Sequence, residues 1–265
     1  MIFHSSVETF YFLLPLAGFI VGLFGTMLGG GGGFFFLPLL TLVFGVPAQT
    51  AVITSLVATL PIALVGTSGH YQKGNVNTRM GMVFSVAGII GAILGATLSS
   101  SVSAEQLKVS FGIYSILIAA NMLIGSIRNR NIDKDTINEN KRIGLQERLK
   151  ASVFGLSAGM ITGSFGTSGT APILAGLFSM KLSVKKVVGT SLLVVLINTL
   201  VAVGAHFFIG KIDLTLVAFL SSGSVLGAFL GPVLLAKTKI GKSESKIKYI
   251  YALVIVGIGV AMILG

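Results

Sequence analysis

Six stretches of this chain, near 47–69, 79–98, 107–125, 184–208, 213–235 and 246–264, each run apolar for about 20 residues, the length that crosses the hydrocarbon core of a bilayer. Nothing else in the sequence narrows the fold so far. Backbone groups in lipid have no water to bond, so segments of this kind satisfy themselves as helices. The 265 residues are 53% hydrophobic and 10% charged, whereas a soluble domain carries about 25% charged residues. The expected class is therefore an all-α polytopic membrane protein.

Two further apolar stretches, 9–45 and 151–180, are interrupted. The first interruption reads "MLGGGGGFFFLP", Met27 to Pro38, with five consecutive glycines from Gly29 to Gly33; the second reads "GSFGTSGTAP", Gly163 to Pro172. A glycine weakens a helix by roughly 1 kcal/mol relative to alanine, so five in a row end it. Broken backbone at membrane depth survives only where protein buries it or where it lines a wet cavity.

A polar segment, 126–150, separates 1–125 from 151–265, and these halves are copies. "TSLVATLPIALVGTSGHYQKGNV" from Thr54 aligns without gaps on "TSLLVVLINTLVAVGAHFFIGKI" from Thr190. Thr54 and Ser55 fall on Thr190 and Ser191, His70 on His206, Gly74 on Gly210, and "GAILGA" from Gly91 on "GAFLGP" from Gly227. The glycine tract falls on Gly166 to Thr170. Repeats of this size in a membrane chain point to a transporter.

Charge sets their relative orientation. If each broken stretch crosses fully, the basic residues divide almost evenly between the two faces. If each enters and returns, every half has three full spans and the copies are inverted: six full spans, or eight hydrophobic segments. One face then holds Lys73 and Arg79, the seven basic residues of 126–150, Lys181, Lys185 and Lys186, and the five of 236–248, leaving only Lys108 and Lys211 opposite. The positive-inside rule selects the inverted arrangement, with 126–150 a cytoplasmic linker and both termini outside. The net charge of +11 is explained this way, and no nucleic-acid partner is expected, because no loop combines a basic run with interleaved aromatics.

Opposed half-helix N-termini offer free N–H groups and partial positive charge to an anion. The candidate substrate-binding residues are therefore Gly30, Gly31, Gly32 and Gly33 in the first copy, with Gly166, Thr167, Ser168, Gly169 and Thr170 in the second. Thr54, Ser55, Thr190 and Ser191 either cap helices or line the same cavity, and Asn198, a lone amide in mid-span, either joins helices or meets substrate. The spans hold essentially no Asp or Glu to coordinate a cation; Asp213, at a span boundary, reads as an interfacial anchor. Pairs at other spacings (Gly18 and Gly22; Gly91 and Gly95; Gly155, Gly159 and Gly163; Gly227 and Gly231) read as close-packing seams. His70 and His206 close their spans at matching positions and suit gating or proton coupling. No cofactor or metal is required. The expected partners are a small anion and membrane lipid, and oligomeric state is not legible.

A glycine-rich tract followed by "PLL", then "TSL", then a histidine and a glycine, all repeated, resembles the sulfite exporter TauE/SafE family of bacterial permeases from about Gly18 to Gly265. The resemblance implies export of sulfite, sulfoacetate or a related anion across the bacterial cytoplasmic membrane, coupled to an ion gradient. It carries to Gly29–Gly33, Pro38, Gly166, Gly169 and the paired Thr–Ser positions. The second copy departs, with Thr167, Ser168 and Thr170 in place of glycines and Pro172 three residues early. A passive anion channel is the alternative. "GTSG" at Gly66–Gly69 and Gly166–Gly169 also matches the motif of intramembrane serine proteases, but His70 sits beside its serine in sequence rather than facing it, and His206 belongs near the opposite face from Ser168. The expectation is a transporter and not an enzyme.

Overall fold

The structure, a computed structural model, describes residues 2–128, 144–180, 182–208, 210–237 and 244–265. A short strand β1 (Ile2–Phe3) and a 3-10 turn (Thr9–Leu13) lead into α1 (Leu14–Leu28). After the glycines come α2 (Gly33–Pro38), α3 (Ala48–Gln72), α4 (Thr78–Ser100) and α5 (Ala104–Arg128). The second half repeats the order: α6 (Leu145–Phe165), α7 (Thr170–Ser179), α8 (Val184–Phe207), strand β2 (Ile212–Asp213), α9 (Leu214–Lys237) and α10 (Glu244–Leu264). Of the linker read as 126–150, its two ends are helical, and 129–143 lie outside the described residues.

Apolar length explains the long helices. Local chemistry sets where they begin. Asn77 precedes α4, and its side-chain oxygen accepts the N–H of Met80 at 3.0 Å. At the matching position before α9, Asp213 accepts the N–H groups of Thr215 (3.0 Å) and Leu216 (3.3 Å). Both are N-caps that satisfy first-turn donors. Asp213 also receives the Ser5 N–H at 3.4 Å, and β1 pairs with β2, so it anchors the N-terminal segment as well. Pro38 lacks an N–H, and the helix widens after it into a π turn over Leu39–Val43.

Each broken stretch doubles back. The Tyr11 ring, at the start of the first, lies 5.7 Å from that of Phe44 at its end. The Cβ position of Gly32 falls against Val21, halfway up α1. In the second copy a Cβ on Gly176 would lie 2.9 Å from the Phe154 ring, so α7 returns along α6. The first descending arm, Thr9–Leu28, is itself long enough to cross a membrane. The stretch nevertheless doubles back as the sequence predicts: the 3-10 turn gives its first arm span length, and the returning Gly33–Val43 limb is short.

Strand β2 sits beside β1, Gln49 Nε2 donates to Val102 O at 3.2 Å, and Thr41 Oγ1 lies 3.3 Å from the Met262 sulfur. One face, the terminal face, thus gathers both termini, the start of α3, the α4–α5 turn and the α8–α9 connection. The opposite face takes 73–77, where Lys73 Nζ donates to Pro232 O at 2.7 Å. Since α3, α4 and α5 each cross, α6 starts from the face opposite to α1, and the repeats are inverted.

The halves interlock through glycine seams. Cβ positions on Gly18 and Gly22 would strike the carbonyls of Leu220 and Ser224, and those on Gly223 and Gly227 the carbonyls of Pro15 and Phe19. Thus α1 packs on α9. In the mirror seam, Gly155, Gly159 and Gly163 of α6 meet the carbonyls of Phe84, Gly88 and Ala92, while Gly91 and Gly95 of α4 meet those of Leu156 and Met160. Two helices in lipid gain nothing from hydrophobic burial against each other, so backbone approach and van der Waals contact hold such pairs.

Candidate functional site

The two breaks meet in the protein interior. Helix α1 ends at Gly29 (φ +78°) and α6 at Gly166 (φ +65°), and each next helix starts from another left-handed glycine, Gly32 (φ +79°) or Gly169 (φ +54°). Thr170 Oγ1 lies 3.3 Å from Gly30 O and 2.6 Å from Ser168 Oγ. A Cβ on Gly33 would lie 3.3 Å from both Gly166 O and Ser168 N. Phe34, Phe111 and Phe165 form an aromatic wedge beside the junction, with centroids 5.2 and 5.7 Å apart. Gly31, Gly32, Gly33, Gly166, Thr167, Ser168 and Gly169 are all buried, while Gly30 and Thr170 are half-buried.

Each break rests on the long helix of the other repeat. A Cβ on Gly29 would meet the Val188 backbone of α8, and one on Gly166 the Val52 backbone of α3. Ser191 Oγ donates to Gly29 O at 2.7 Å, whereas its counterpart Ser55 Oγ is buried without a partner. Thr190 Oγ1 accepts the Asn77 N–H at 2.9 Å and Thr54 Oγ1 the Asp213 N–H at 3.5 Å, so the threonine pair holds the two cap residues in place. The second half-site is therefore unequal to the first.

One expectation is corrected by the backbone. Gly30 N and Gly31 N do not stand bare: both donate to Gly25 O, at 2.7 and 3.1 Å, as does Gly29 N. The last carbonyls of α1 lack helical partners, and these N–H groups satisfy one of them. In the first turn of α2, Phe35 N in turn donates to Gly32 O at 3.1 Å.

The histidines perform the same service in both copies. His70 Nε2 lies 3.2 Å from Thr26 O in the last turn of α1, and His206 Nε2 lies 2.7 Å from Gly163 O in the last turn of α6. Neither bonds a serine, and Ser168 Oγ is paired with Thr170, so the hydrogen bonds contain no Ser–His couple among the described residues. Among those residues no group of three or more His, Cys, Asp or Glu stands ready for a metal ion.

Asn198 is fully buried in α8, and neither its amide oxygen nor its nitrogen has a partner; a Cβ on Gly88 of α4 would overlap it. An unmet buried polar group costs about 1–3 kcal/mol. We expect Asn198→Leu to raise the melting temperature of the detergent-solubilised protein by several degrees while lowering flux. A fall in both would mean the amide is held by a structural water.

A cavity of about 110 Å³ lies on the terminal face, lined by Gln49, Ile53, Ser99, Ser100, His206 and Gly210. Sequence reasoning singled out His206 and missed Gln49, Ser99 and Ser100, whose only signal is polarity at span ends. The mirror positions on the opposite face are closed: the Asn75 carbonyl packs on Gly189, and Leu235 joins Val188, Leu192 and Met27 in an apolar plug.

The sequence profile of the sulfite exporter TauE/SafE family matches residues 14–262. The chain belongs to this family. Among relatives, the probable membrane transporter protein YdhB of Bacillus subtilis is 30% identical over 220 residues, 83% of this chain and 88% of its own. A probable membrane transporter protein of Xylella fastidiosa (strain 9a5c) is 27% identical over 250 residues, 94% of this chain and 91% of its own. The probable membrane transporter protein MJ0441 of Methanocaldococcus jannaschii is 30% identical over 192 residues, 69% of this chain and 68% of its own. No solved structure matches the chain. As a TauE/SafE-family member with six helices among the described residues fit to span, it is a multi-pass membrane transporter.

Proposed function

We propose that this TauE/SafE-family protein is a secondary carrier that exports a small organosulfur or sulfur oxyanion, of the sulfite or sulfoacetate class, across the bacterial cytoplasmic membrane by alternating access coupled to an ion gradient. The observation that carries the reading is the junction of two opposed helix breaks, buried between α3 and α8, where Gly33 faces Gly166 and Ser168. Helix N-termini, hydroxyls and amide N–H groups in a dry site favour an anion. Direct contact of the two tips supports a carrier over an open channel, because a continuous pore would keep them apart.

Positive-inside logic puts Lys73, Arg79, Lys185 and Lys186 in the cytoplasm and the terminal face outside. The chain has no cysteine, so single cysteines report orientation cleanly. His4→Cys and Gly265→Cys are both expected to react with an impermeant maleimide added outside cells; cytoplasmic labelling of both would reverse the assignment. The transport reading is tested in proteoliposomes loaded with sulfite, sulfate, thiosulfate or organosulfonates, with and without a pH gradient. Saturable flux of at least one of them is expected, and failure with all of them overturns the anion assignment.

A further inference from the structure

The cavity on the terminal face holds no fixed cation. Its lining is the Gln49 amide, the Ser99 and Ser100 hydroxyls, His206 and the apolar Ile53 and Gly210. The facing segments, 48–56 of α3, 95–100 of α4 and 159–165 of α6, contain no ionisable residue. Beyond α8, Lys211 is exposed and Asp213 Oδ1 is committed to the N–H groups of Thr215 and Leu216. On the first turns of α5, Glu105 is exposed and Lys108 half-buried. An anion in this cavity has one lining group able to become positive, His206.

The hydrogen bond to Gly163 fixes how that happens. A carbonyl oxygen only accepts, so His206 Nε2 carries the hydrogen, and Nδ1 of the neutral ring is a bare lone pair. A proton arriving at Nδ1 makes the ring cationic and leaves the Nε2 bond intact, so nothing has to rearrange. The ring also sits in the last turn of α8, where the partial negative charge of the helix end favours a cation.

The mirror end repeats the histidine and its carbonyl partner but not the rest of the lining: Lys185 stands where Gln49 would, and the ring is fully buried. His70 donates through Nε2 to Thr26 O, and its Nδ1 is buried with no partner. Where the terminal face places Ser99, the repeat places Leu235 inside the apolar plug, and the Lys73–Pro232 bond ties that end together.

We propose that the cavity formed by Gln49, Ser99, Ser100 and His206 is an anion subsite on the terminal side of the transport path, taking a small oxyanion only together with one proton on His206 Nδ1. The proposal rests on the anion-carrier reading and deepens it by naming the group that supplies positive charge to the bound anion. The only bond change is at Nδ1: an N–H bond forms with a proton from the terminal-side medium as the anion binds, and breaks, returning the proton to that medium, as the anion leaves.

The test is nitrogen NMR of the full chain in nanodiscs with labelled histidine, since three ring signals, from His4, His70 and His206, cover all of them. Sulfite and sulfate serve as probes at near-neutral pH. We expect sulfite to convert the His206 ring from the Nε2–H pattern to the doubly protonated one while His70 is unchanged. The His206→Gln variant, whose amide can still donate to Gly163, identifies the signal. In the Gln49→Leu/Ser99→Ala variant, the same conversion should need roughly tenfold more sulfite, as expected for two lost hydrogen bonds. A His206 ring unmoved by both anions, or one that moves no more than His4 and His70, overturns the proposal. Flux in vesicles with a silent His206 sinks this subsite alone; a responsive His206 with no flux sinks the carrier reading instead.

Discussion

Gly159→Leu is expected to yield no monodisperse protein in detergent, or a melting temperature lower by roughly 10 °C or more. Gly159 lies at the centre of the α4–α6 seam, where its Cβ position coincides with the Gly88 carbonyl and lies 2.8 Å from Ala92 N. Backbone cannot move aside as the end of a side chain can, so the helices must separate along the seam. Overpacking in a tight core costs about 1–3 kcal/mol, and more when the obstacle is main chain. In lipid, lost helix contact is not compensated by burying apolar surface elsewhere. The control is Gly204→Leu, where no atom lies within 4 Å of the Cβ position; melting there should be unchanged or slightly raised, as leucine is the better helix former. Equal losses at both positions would contradict the seam.

The second large effect falls on transport. Gly166→Ala should leave a folded protein whose flux is at least tenfold lower, a rate effect of about 1.4 kcal/mol. Two costs combine at this residue. Its φ of +65° is one that alanine adopts at a cost of about 1–2 kcal/mol. Its Cβ would also press on the Val52 backbone, lifting the second break off α3 and away from Gly33. Gly45→Ala separates the two causes, because Gly45 has φ +62° with open space around it. Flux in that variant should stay near the original value, with only a small loss of stability. A matching loss of flux at Gly45 would mean that backbone strain, and not the docking of the break, governs transport.

These positions also show how far the sequence could be read. All six long apolar runs became helices whose ends lie within three residues of the expected limits, because length and apolarity leave lipid-facing backbone no other choice. The inversion of the repeats followed from loop charge, and the packing glycines followed from four-residue spacing. What stayed hidden depends on contacts between distant segments. Gly30 and Gly31 look identical to Gly32 in the tract, yet their N–H groups are consumed by Gly25, a turn earlier in α1. The histidine pair was noticed as titratable, but its bonds to Thr26 and Gly163 required the α1 and α6 termini to be placed beside α3 and α8. Ser99 and Ser100 join Gln49 only because α4 ends where α3 begins. The asymmetry of the two ends arises from single-residue differences between the copies, Ser99 against Leu235 and Ile53 against Gly189, whose spatial consequence depends on the segments packed around them.

The central claim is that the two inverted repeats expose their shared site to one face at a time. The most direct measurement is maleimide labelling of Ser99→Cys and Leu235→Cys, repeat counterparts on opposite faces, in vesicles of known orientation with sulfite added. Reciprocal labelling is predicted: Ser99→Cys, in the cavity lining, loses reactivity as turnover begins, while Leu235→Cys gains it. Simultaneous access to both, or reactivity that sulfite leaves unchanged, would contradict the account.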